Sequence, residues 1–187
     1  MSGPALALAS AVAARGALGG EVAVALAVDG EERTVVVESR TSLADALRAA
    51  GVTGVKLGCE QGVCGSCTVL LDGRSQRSCL VLAVQADEVA ITTAAGLTGP
   101  IEELRAAFVD HFAVQCGFCA SGVLVTAAAE LSERERAGTL GDLDGDAIVG
   151  LLSGNVCRCT GYGSMVAAIS QAAHRLAERS SPPAPEP

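Results

Sequence analysis

Eight cysteines in two unlike sets constrain this chain more than any other feature of its 187 residues. Cys59, Cys64 and Cys67 follow the pattern C-x4-C-x2-C, and Cys79 comes after eleven intervening residues. Cys116 and Cys119 form C-x2-C, and Cys157 and Cys159 form C-x-C, so no cysteine is left over. Disulfide frameworks belong to short secreted chains that lack a sufficient core. This chain is longer, and its N-terminal PALALASAVAA has neither a positively charged n-region nor a preceding twin arginine, so no cleaved leader is expected. The expectation is a cytoplasmic protein whose thiols stay reduced and hold metal.

Composition narrows the class further. Half the residues are hydrophobic and 18% are charged, which excludes a disordered chain. Aromatics are only 2% while alanine supplies 34 residues, so the core has to be built from Ala, Val and Leu. Twelve arginines and one lysine against 21 acids give a net charge of -8, leaving no basic excess to neutralise phosphates. Nucleic acid is not an expected partner. No apolar run reaches the length of a membrane span.

Along the chain, residues 1–19 lack a periodic face and read as a flexible tail. Val22, Val24, Leu26 and Val28 alternate as in a half-buried strand, and Asp29-Gly30 separates them from the β-branched run Thr34–Val37, predicting a hairpin. Ser42-x-x-Asp45 predicts a capping box opening a helix with Leu43, Ala46, Leu47 and Ala50 on its apolar face and Gly51 at its end. Further strands are expected at 68–71, before a second Asp-Gly turn, at 80–84 and at 89–92. Residues 20–97 thus read as a small α+β domain. From residue 98 the period changes. Ile101, Leu104 and Phe108 share a helix face behind Pro100, and further helices are expected over 123–131, 146–152 and 165–179. Residues 98–180 read as a small helical bundle, and the Pro-rich 181–187 as a disordered tail.

The first cysteine set has the plant-type [2Fe–2S] spacing. Three thiolates must converge on a flat cluster from one loop, and Gly58, Gly62 and Gly65 allow the backbone to approach closely and adopt unusual dihedrals. Zinc knuckles come as two similar C-x2–4-C pairs, which this set is not. The second set is less diagnostic: four cysteines on two segments between helices suit a buried iron–sulfur cluster, and by spacing alone zinc stays open.

At these residues the chain resembles a known family. Gly58-Cys-Glu-Gln-Gly-Val-Cys-Gly-Ser-Cys-Thr, Gln115-Cys-Gly-Phe-Cys and Gly154-Asn-Val-Cys-Arg-Cys-Thr-Gly-Tyr162 are similar to signatures of the small iron–sulfur subunit of molybdenum hydroxylases, the xanthine dehydrogenase, aldehyde oxidoreductase and carbon monoxide dehydrogenase family. The resemblance spans residues 20–178. It implies an α+β architecture with an N-terminal β-grasp plant-type ferredoxin domain followed by a four-helix bundle, each with one [2Fe–2S] cluster. It implies that Cys116, Cys119, Cys157 and Cys159 hold the cluster nearer molybdenum and that Cys59, Cys64, Cys67 and Cys79 hold the one nearer the flavin. Gln115 and Cys159 would then lie beside the molybdopterin. The implied partners are a large molybdopterin-binding subunit and a medium FAD-binding subunit, assembled as a dimer of heterotrimers; catalytic residues would lie on those chains. A free-standing two-cluster ferredoxin and a zinc-stabilised structural module are the alternatives. The family's usual Thr-Pro-Gly after the second C-x2-C is Ala120-Ser121-Gly122 here, with Ser121 as the substitute helix cap. After Tyr162, Gly-Ser-Met stands where a larger residue is common in the family.

Other candidates read more plainly. Lys56, Glu60 and Gln61 are expected at the loop surface, and His111 and His174 on helix faces because no thiolate is missing. Arg158, between two proposed ligands, is placed to offset their charge. Phe118 and Tyr162 flank ligands and would shield them from water or pack the core.

Overall fold

The computed structural model describes residues 20–180; the two predicted tails, 1–19 and 181–187, lie outside the described residues. The first half is a five-stranded mixed sheet in the order β2-β1-β5-β3-β4. β1 (Glu21–Val28) and β2 (Glu31–Glu38) form the expected antiparallel hairpin with Val28 opposite Glu31. Asp29 (φ 52°) and Gly30 (φ 84°) both take left-handed backbone, as a two-residue turn matching strand twist requires. Asp72 (φ 47°) and Gly73 (φ 80°) repeat this turn between β3 (Thr68–Leu71) and β4 (Arg74–Arg77). β5 (Ala90–Thr92) runs parallel to β1 and antiparallel to β3. Helix α1 (Leu43–Ala49) buries Leu43, Ala44, Ala46 and Leu47 in a cluster with Val24, Leu26, Val69 and Ile91.

Two local expectations fail for physical reasons. Residues 80–84 are not a strand. They link two 3-10 turns, Ser78–Leu80 and Ala83–Ala86, and form one isolated bridge, between Leu82 and Ser42, outside the sheet. Leu80 and Leu82 are exposed, while Ala83 is buried and Val81 and Val84 pack against the core of this half. The actual fourth strand is the polar Arg74-Ser-Gln-Arg77, which carries no hydrophobic alternation because it is a solvent-facing edge. The cap of α1 also differs. The Ser42 hydroxyl accepts from Asp45 N–H and donates to the Asp45 carboxylate, so Asp45 does not reach back to the backbone.

The second half contains α2 (Ile101–Asp110), α3 (Ala120–Ala137), α4 (Gly145–Leu152) and α5 (Gly163–Ser180). They share one core in which Leu104, Phe108, Val123, Leu131, Ile148, Met165, Ile169 and Leu176 are buried. Ala107, Ala127, Ala128, Ala168, Ala172 and Ala173 are buried with them, so the alanine-rich composition goes into close helix contacts. Ser121 does not cap α3; its hydroxyl lies 3.5 Å from the Ser66 carbonyl in the other half. At the join between halves, the Asp29 carboxylate accepts from the Thr93 N–H and hydroxyl, both at 2.7 Å, pinning the linker to the end of β1. No helix among the described residues is long and apolar enough to cross a membrane.

Candidate iron–sulfur sites

The loop 59–67 carries three of the first four cysteines. Its backbone turns through left-handed conformations at Glu60 (φ 57°), Gly62 (φ 77°) and Gly65 (φ 70°), whereas Gly58 has none. Cys79 arrives from the first 3-10 turn, which Ser78 anchors by donating its buried hydroxyl to the Cys67 carbonyl at 2.7 Å. The N–H groups of Cys64 and Gln61 point at the Cys59 sulfur from 3.3 and 3.4 Å. Those donors, Cys64 first, lower the Cys59 thiol to about 6. Burial, with help from the neighbouring Cys67, raises Cys79 to about 11.

The second set sits where α2 gives way to α3 and where α4 gives way to α5. Cys116 and Cys159 are exposed, Cys157 is half-buried and Cys119 is buried. The N–H of Phe118 lowers the Cys116 thiol, while the Cys116 side chain raises that of Cys159. Burial pushes Cys119 up to about 12. Burial alone would also raise Cys157, but the Thr160 hydroxyl, 3.2 Å away, together with nearby N–H donors, tips the balance and lowers it. In the iron-free chain at pH 7, alkylation is therefore expected at Cys59 ahead of Cys79 and Cys119, because only the thiolate attacks; peptide mass mapping over a time course checks this order.

The thiols act on one another within each set: Cys59 with Cys64 and Cys79, Cys67 with Cys79, Cys116 with Cys159 and Cys157, and Cys119 with Cys157 and Cys116. Each set thus offers the four thiolates by which a [2Fe–2S] cluster is held.

One side chain ties the second site together. The Tyr162 hydroxyl donates to the Asn155 carbonyl at 3.1 Å and accepts from the Cys157 N–H at 2.8 Å, and Tyr162 itself sits at φ 68°. Tyr162→Phe leaves both backbone groups unpartnered. The expected cost is about 1–3 kcal/mol, with faster loss of colour from the second site during chelator challenge than from the first.

The halves meet at these sites. The Val156 N–H donates to the Cys64 carbonyl at 2.9 Å, and Asn155, only 1% exposed, donates its side-chain N–H to the Gly65 carbonyl at 3.2 Å. The Phe118 ring leaves only 3.2 Å to the position a Gly58 side chain would take, so Phe118 bridges the halves while remaining 45% exposed. Lys56 is half-buried, donates to the Thr53 carbonyl at 2.9 Å and lines a groove with Arg48, Cys116 and Phe118. Glu60 and Gln61 are exposed as expected, Gln115 and Arg158 are exposed, and His174 is exposed on α5 while His111 ends α2. Sequence reasoning missed Arg77 and Asn155. The adjacency of Arg77 to Cys79 was visible, but β4 was not.

Residues 26–94 match the family described as 2Fe-2S iron-sulfur cluster binding domain, and residues 93–170 match the [2Fe-2S] binding domain. The small subunit of nicotine 6-hydroxylase from Paenarthrobacter nicotinovorans is 44% identical over 160 residues, covering 84% of this chain and 93% of that one. Caffeine dehydrogenase subunit gamma from Pseudomonas sp. (strain CBB1) is 43% identical over 149 residues, covering 78% and 87%. The crystal structure of quinoline 2-oxidoreductase from Pseudomonas putida 86 superposes with a TM-score of 0.74 at 44% identity, covering 85% of this chain and 97% of that chain. The chain belongs to the small [2Fe–2S] subunits of the molybdenum hydroxylase family. It is an electron-transfer component with two [2Fe–2S] clusters in a multi-subunit oxidoreductase whose molybdenum-pterin and FAD lie on partner subunits.

Proposed function

We propose that Cys59, Cys64, Cys67 and Cys79 hold one [2Fe–2S] cluster and Cys116, Cys119, Cys157 and Cys159 the other, in a plant-type ferredoxin domain of β-grasp form (20–97) and a four-helix bundle (98–180). The observation that carries this is that each set of four cysteines falls within one of the two matched [2Fe-2S] domains, Cys59 to Cys79 within 26–94 and Cys116 to Cys159 within 93–170. Two separate hydrophobic cores, one per half, support the division into domains. When bound, each cluster supplies a reversible one-electron couple. The protein's own part is to hold both ligand sets at a fixed separation, direct N–H groups at the sulfurs and keep water from the buried side. The Cys64 carbonyl, the Val156 N–H and the peptide bond to Cys157 connect the two sets with one hydrogen bond and otherwise covalent links.

The exposure of Cys116, Cys159 and Gln115 fits a face covered by the molybdopterin subunit, with Gln115 and Cys159 beside the pterin. The first set would face the FAD subunit. A cytoplasmic location fits eight unpaired cysteines; a dimer of heterotrimers follows from the family resemblance alone. Native purification tests the assembly. Co-elution with a molybdenum-pterin chain and an FAD chain, in equal amounts, is the expected result. Elution as a lone red-brown protein would instead establish a free-standing ferredoxin, and native mass spectrometry of the complex decides its stoichiometry.

A further inference from the structure

Arg77 is the half-buried cation at the seam between the two ligand sets. It is the last residue of β4, paired with Thr68, and lies two positions before Cys79. Its Nε donates to the Gly62 carbonyl at 3.1 Å, inside the loop 59–67. Its Nη2 donates to the Gly154 carbonyl at 2.6 Å, three residues before Cys157. One guanidinium therefore spans both cysteine segments, using the planar fork that lysine lacks. Gly154 is fitted to it, because a side chain there would strike the Arg77 Nη2.

The charge is as distinctive as the geometry. Among the described residues no carboxylate pairs with Arg77, and both its acceptors are neutral carbonyls. Seven other arginines make ion pairs with Asp or Glu. In a chain of net charge -8, an unneutralised and partly desolvated cation has been kept between two sets of four cysteines. A four-thiolate cluster is anionic and gains one further negative charge on reduction, so a fixed cation beside it stabilises the reduced state more than the oxidised one. Arg158 lies between two cysteines in sequence but is exposed, where solvent screens it.

We propose that Arg77 is a positioning residue that ties the two cluster loops together and, through its unpaired charge, favours the reduced state of both clusters at once. This rests on the ligand sets proposed above. The experiment is a redox titration of the holo-complex followed by low-temperature EPR, for the wild type, Arg77→Gln and Arg77→Lys. In Arg77→Gln both midpoint potentials are expected to move negative, by up to about tenfold in the reduction equilibrium, or about 59 mV for one electron. Arg77→Lys keeps the charge but loses the fork. Its potentials are expected to stay near wild type while the magnetic interaction between the two signals changes.

Unchanged potentials in Arg77→Gln, a shift confined to one cluster, or an equal fall in both variants would overturn the proposal. If Arg77→Gln fails to load iron, Arg77→Lys decides: held potentials with altered coupling support the charge role, and a fall in potential refutes it. Failure of the ligand assignment looks different, since wild-type protein would then lack two cluster signals altogether.

Discussion

Cys157→Ser is expected to remove half of the iron and one of two EPR signals from the reduced protein, leaving the other signal in place. Cys59→Ser is expected to remove the complementary one. The argument is from placement: Cys157 belongs to the set in the helical half and Cys59 to the set in the α+β half, each within its own matched domain. A serine hydroxyl is a poorer, harder ligand than thiolate, so the affected site is expected to load weakly or not at all. Each half has its own hydrophobic core, so loss of one cluster need not unfold the other. Iron and acid-labile sulfide analysis together with EPR on each variant checks the prediction. Loss of both signals from either substitution would show that the two sets are not independent sites.

Gly65→Ala is expected to be the most damaging single methyl group in the chain. Gly65 is buried at φ 70°, left-handed backbone that costs alanine about 1–3 kcal/mol. The added carbon would also strike the Gly154 carbonyl oxygen and lie 2.7 Å from the Asn155 side-chain nitrogen. Overpacking of this kind costs about 1–3 kcal/mol more. The opposite side of the seam is equally tight. A side chain at Gly122, in the first turn of α3, would strike the Gly65 carbonyl oxygen and approach Ser66 Cα to 3.0 Å. Gly122→Ala, with no backbone penalty, is therefore expected to cost less than Gly65→Ala. Chemical denaturation of the loaded chain gives the ranking, and a Gly65→Ala protein as stable as wild type would mean the seam is not rigid.

Much of this was readable from residue order. The first Asp-Gly turn placed its hairpin, and the second marked the turn after β3, because left-handed backbone has a short list of residues that accept it. The first and last helices of the second half followed from the spacing of Ile101, Leu104 and Phe108 and of Met165, Ile169 and Leu176, and the cysteine spacing set apart the two groups of four. The errors share one cause. β4 carries Arg, Ser and Gln because an edge strand is fixed by its turn and its backbone partner, not by burial. Residues 80–84 are a short unbroken apolar run that reads as a strand, yet Leu80 and Leu82 are exposed, Ala83 is buried, and the backbone forms a single isolated bridge to Ser42. The seam was invisible for the same reason. Arg77, Asn155, Gly122 and Gly154 act across the seam through partners 57 to 90 residues away in sequence.

Low-temperature EPR of the dithionite-reduced wild-type protein tests the central claim most directly. Two distinct S = 1/2 signals of equal intensity are the predicted result, with iron and sulfide matching two [2Fe–2S] clusters per chain. A single signal, or a colourless protein carrying zinc, would contradict it.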